Sequence, residues 1–178
     1  MKIRIPATLL LFATALLFGG CASPSQPTAM VATPVGPVTQ HAQSVSINVT
    51  GGSATSAAGA SKISDEDFAE ALRQSIAQSG LFARISAANQ ADYRLDLQIV
   101  RLEQPMIGLS MTVTIEVTWR LARQSDHQTV WQKSVTSTYT AKMGEAFAGV
   151  TRLRHATEGA ARENIKDAIG QMSALSLP

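Results

Sequence analysis

Cysteine is nearly absent: Cys21 stands alone among 178 residues. Without a second thiol there is no intrachain disulfide, so stability has to come from an apolar core. Charge of one sign is missing too. The precursor carries 15 Lys and Arg against 13 Asp and Glu, and two of the basic residues, Lys2 and Arg4, precede the first apolar run. Without those two the chain is close to neutral, which leaves nucleic-acid binding without an electrostatic basis. The apolar run, Ala7 to Phe18 (ATLLLFATALLF), falls short of the ~20 residues a bilayer-spanning helix needs. Catalytic signatures are lacking as well: there is no HExxH, GxSxG, SxxK or GxxxxGK[ST]. The three histidines, His41, His127 and His155, are not at metal-ligand spacing and read as solvated surface groups. No catalytic residue and no metal site is assigned.

What is present begins at the N-terminus. Two cations, a charge-free core in the ~7–15 residue range of a signal-peptide h-region, and the small pair Gly19-Gly20 mark residues 1–20 as a signal peptide. A lone cysteine is ordinarily a small buried hydrophobe. Here a Pro-rich segment follows it and offers no core. The stretch LLFGGC resembles the lipobox of bacterial lipoproteins. That resemblance implies cleavage between Gly20 and Cys21, a diacylglyceryl thioether on the Cys21 sulfur and a fatty acyl group such as palmitate on its new amino group. No other cofactor is expected. Residue 22 is Ala. By analogy with the family an Asp there would signal inner-membrane retention, so the expectation is an outer-membrane, periplasm-facing protein.

Residues 21–43 carry Pro24, Pro27, Pro34 and Pro37 among small polar residues, without apolar periodicity. They read as a lipidated cysteine and a flexible tether reaching up to roughly 60 Å at about 3 Å per residue. Residues 44–178 have the length of one domain. In it, QSVSINVT alternates like a strand, and SDEDFAEALRQSIAQSG reads as a helix with Ser64 as N-cap, Gly80 as stop and Phe68, Leu72 and Ile76 on its apolar side. LFARIS is a candidate short edge strand. DYRLDLQIV, MTVTIEVTWRLA and TVWQKSVTSTYT form a three-stranded meander. A long helix covers about residues 151–175, with Arg154, Glu158 and Arg162 opposite its apolar stripe. One-faced strands need a cover. The expected fold is an α+β two-layer sandwich: a mainly antiparallel sheet of about four strands covered on one face by two helices. Whether the first strand lies beside the second or the fourth stays open.

Three places bear on function. Asp92, Asp96 and Glu116 place carboxylates near the outer sheet face, where cross-strand pairs with Arg94 and Arg120 explain them better than acid–base catalysis. The glycines of KMGEAFAG read as a strand-to-helix turn in preference to an anion site. The hairpin EQPMIGLSM either folds back over the helical layer or exposes Met106, Ile107 and Leu109 as contacts for protein or lipid.

The lipobox, FAEALRQSIAQSGLF followed by ADYRLDLQIV, and the closing AFAGVTRLRHATEGAARENI together resemble small, largely uncharacterised proteobacterial outer-membrane lipoproteins. The layout is similar to that of lipopolysaccharide-transport auxiliary lipoproteins. The resemblance implies a non-catalytic assembly or transport component, bound to the membrane by its lipid and partnered with an envelope protein complex. Alternatives are an envelope enzyme using surface carboxylates and a binder of a small apolar ligand.

Overall fold

A computed structural model describes residues 22–56 and 59–177. Cys21, Gly20 and the whole leader lie outside the described residues. The elements are α1 (Pro27–Met30), β1 (His41–Thr50), α2 (Asp65–Ser79), β2 (Phe82–Ile85), β3 (Tyr93–Glu103), β4 (Met111–Arg123), β5 (Thr129–Ala141) and α3 (Gly149–Ser173). The strands form one sheet in the order β2-β1-β3-β4-β5. The α+β sandwich is as expected, with a fuller sheet: five strands, of which β1 runs parallel to both β2 and β3 while β3, β4 and β5 form the antiparallel meander. The first strand thus lies beside the first strand of the meander. A parallel neighbour requires a crossover, and α2 supplies it between β1 and β2.

Local chemistry sets the ends of α2. The Ser64 hydroxyl oxygen accepts from the Asp67 N–H at 3.1 Å, three acidic residues fill the first turn, and Gly80 closes the helix at φ 66°. The inward faces follow the alternation: Tyr93, Leu95 and Leu97 on β3 and Val113, Ile115, Val117, Trp119 and Leu121 on β4 are buried. They meet Phe68, Leu72 and Ile76 of α2, with the Phe68 and Trp119 rings 6.2 Å apart. The buried side of α3 is largely small: Ala156, Gly159, Ala160, Ala161 and Ala168. Small residues let the helix approach the sheet closely. A Cβ at Gly159 would lie 2.4 Å from the Tyr139 ring, so this position has room for hydrogen alone.

The segment expected as a flexible tether is docked in the structure. Residues 22–40 cross the helical layer as a strap, with Met30 and Ala32 fully buried among α2 and α3. Its backbone is satisfied by side chains of the layer below. The Gln26 N–H donates to Glu158 at 3.0 Å, the Ala32 N–H donates to Ser75 Oγ at 2.9 Å, and Arg162 donates to the Ala29 carbonyl at 3.0 Å. Four prolines preclude a long helix or a full strand ladder, but a strap of this kind needs neither. Glu158 and Arg162, expected on a solvated helix face, are two of the groups that hold it. His41 is corrected as well: it opens β1, is buried, and its Nε2 lies 3.0 Å from the Met172 carbonyl oxygen.

Candidate functional site

Met111 pairs with Ala141, so the β3–β4 hairpin tip and the β5–α3 connection share one end of the sheet. The tip projects from it. Met106, Ile107 and Leu109 are 98%, 89% and 73% exposed, which decides between the two readings of EQPMIGLSM in favour of an open tip. Its base is clamped. The Gln104 amide donates to the Ser61 carbonyl at 2.6 Å and to Thr157 Oγ1 of α3 at 2.8 Å. A rigid root beneath exposed apolar side chains lowers the entropy lost on contact.

The neighbouring connection is held the same way. Arg152, buried in the first turn of α3, donates to the Ala146 and Phe147 carbonyls at 2.7 and 2.6 Å. The Lys142 N–H donates to the Glu145 carboxylate at 2.7 Å. This brace leaves the Phe147 side chain fully exposed, with Met143 and Val150 exposed beside it in the chain. Sequence reasoning read KMGEAFAG as a turn and passed over Met143 and Phe147, and it placed Val150 on the apolar stripe of the last helix, where the structure leaves it exposed. The available signal was the lack of any charge in AFAGV just ahead of a helix. A cleft of about 450 Å³ runs between the hairpin tip, residues 59–61 and the start of α3, and Ala22 lines it together with Pro105, Met106, Val150 and Leu153. The described chain therefore starts at the apolar end.

The three carboxylates are all engaged. Asp96 pairs with Arg94 at 2.9 Å and Arg120 at 3.4 Å and accepts from Asn48. Glu116 accepts from Ser134 at 2.8 Å and lies 4.0 Å from Arg101. Asp92 accepts from both the backbone N–H and the hydroxyl of Ser44, at 2.7 and 2.6 Å. The Ser44 hydroxyl, then the Ser44 N–H, hold the Asp92 carboxyl below its ordinary value of 3.8, with desolvation opposing them. A depressed pKa means stability present above the ordinary value and lost as pH falls through the lowered one. Asp92→Asn should therefore flatten the acid limb of the stability profile as pH falls below the ordinary carboxylate range, read by thermal melts at each pH. Identical limbs for the two proteins would remove Asp92 as a contributor. Among the described residues no group of three His, Cys, Asp or Glu side chains is placed to hold a metal ion, and no helix is long and apolar enough to cross a membrane.

No family model matches the chain, and no curated protein matches it. Solved structures do share its fold. A DUF330 protein from Xanthomonas campestris is 15% identical, with 80% of this chain and 90% of that one covered at a TM-score of 0.63. A hypothetical protein from Chlamydia trachomatis is 11% identical over 76% of this chain and 100% of the other, at a TM-score of 0.53. The PelC dodecamer from Paraburkholderia phytofirmans is 16% identical over 81% and 95%, at a TM-score of 0.50. At these identities the likeness concerns the fold.

Proposed function

We propose that this chain is a lipoprotein anchored through Cys21 in the outer membrane, facing the periplasm, and that it serves as a non-catalytic auxiliary of envelope assembly or transport. The observation that carries the reading is the exposed apolar tip of Met106, Ile107 and Leu109 on a clamped root, at the end where the chain emerges from its N-terminal segment. Support for the anchor is the leader followed by LLFGGC, and support for the compartment is Ala22 in place of Asp. The pairing of Asp92, Asp96 and Glu116 with Ser44, Arg94, Arg120 and Ser134 gives each carboxylate a structural task and favours a role without catalysis. The tip is the surface through which the domain meets its envelope component.

The full-length chain, tagged at its C-terminus and crosslinked in intact cells, should co-purify an envelope component, lipid or protein. Met106→Asp with Ile107→Asp should cut that recovery several-fold while circular dichroism and melting temperature stay unchanged, because both side chains already face water. Recovery of no envelope component by the intact chain contradicts the role. Undiminished recovery by the double variant contradicts the tip as its contact.

A further inference from the structure

We infer that the component met by the apolar end is the lipid surface itself, so that the domain stands on the membrane tip-first instead of hanging from it on a leash. The inference rests on the reading of Cys21 as the lipidated residue. Its first ground is slack. A lipid on residue 21 is one peptide unit, about 3.8 Å, from Ala22. Ala22 already lines the cleft with Pro105, Met106 and Val150. The next residues are tied down: the Ser23 carbonyl accepts from Ser61 Oγ at 2.6 Å, and the Ser25 and Gln26 N–H groups donate to the Lys62 carbonyl and to Glu158. With the strap docked there is no free tether to carry the domain away from the bilayer.

The second ground is the distribution of apolar surface. Six of the eight exposed large hydrophobic residues among those described, Met106, Ile107, Leu109, Met143, Phe147 and Val150, lie in the two loops at this end or in the first helical residues after them. Five of them project from two separate loops, each with a braced backbone, and Val150 from the start of α3. Side chains on convex loop tips reach individually into a fluid interface, whereas a protein partner is ordinarily engaged through a packed, closed patch. Lys142 and Glu145 are both exposed in the second loop, so charge neither draws it to nor repels it from lipid phosphates, and the apolar side chains carry the contact. The opposite end carries the β4–β5 turn with His127, about 40 Å away along the 13 residues of β4.

The test uses the full mature lipidated protein, reconstituted in vesicles of phosphatidylethanolamine and phosphatidylglycerol with and without bromine-labelled acyl chains. The Cys21 sulfur is occupied by its thioether, so a fluorophore can be placed on the single thiol created by Ile107→Cys or, as reference, by His127→Cys. The expected result is at least about twofold quenching by brominated lipid at position 107 and none at 127. Adding Phe147→Asp should reduce the quenching at 107 while flotation with vesicles, carried by the acyl chains, persists. A protein that floats but whose label at 107 is not quenched overturns the inference and leaves the lipoprotein reading intact. A label shielded from water yet untouched by bromine overturns it in favour of a contact with another copy of the chain. A mature chain that fails to float removes the lipoprotein reading, and the inference falls with it.

Discussion

Asn164→Ala should lower the unfolding free energy by about 2–4 kcal/mol. Asn164 is fully buried on α3 and is a polar link between helix and sheet. Its Oδ1 accepts from the Trp119 indole N–H at 3.0 Å, while its Nδ2 donates to the Val135 carbonyl at 2.8 Å and to Ser137 Oγ at 3.3 Å. Alanine would leave the indole N–H without a partner in a site water does not reach, and a cavity beside it. Both costs point the same way. Chemical denaturation followed by tryptophan fluorescence reads the loss directly. A change below about 1 kcal/mol would mean that the site collapses or admits water, and that the amide is not the link described. Trp119→Phe combined with Asn164→Ala should cost less than the sum of the two single changes, since the second finds its partner already gone.

That link shows where sequence reading stops. The stripe of α3 places Asn164 and Ile165 on the buried side, so its burial was legible. Its partners were not, because nothing local tells which strand lies under a helix. Alternation in β3 and β4 was legible for the corresponding reason: period-two burial is written residue by residue, and Tyr93 to Leu97 and Val113 to Leu121 fall inward as their pattern requires. The place of β1 was illegible, since a parallel neighbour is chosen through long-range packing and not by a turn. The strap was the larger miss. Pro-rich composition speaks of backbone conformation, and it is silent on whether a Met30 or an Ala32 finds a cavity. At the apolar end, Met106, Ile107 and Leu109 were legible as candidates because their chemistry conflicts with an ordinary hairpin tip. Phe147 was overlooked because its exposure depends on how Arg152 braces the loop.

The second large effect concerns the anchor. Cys21→Ser alone is a poor probe, since an uncleaved leader keeps the apolar stretch 7–18 available to hold the chain in a membrane. The informative variant delivers residues 22–178 through a leader cleaved before Ala22. Acyl chains contribute about 0.8 kcal/mol per buried methylene, and a single chain already binds measurably. Losing all of them should shift the protein from the membrane to the soluble periplasmic fraction by about tenfold or more. The apolar end, with its six side chains, should leave weak, reversible vesicle binding behind. Full membrane retention by the unlipidated chain would show that lipid on Cys21 is not what holds it.

The most direct measurement is the intact mass of the exported polypeptide purified from envelopes. The account predicts a chain beginning at Cys21 and heavier than its amino acids by a diacylglyceryl and an acyl group. A free thiol at that position, or a leader still attached, would contradict it.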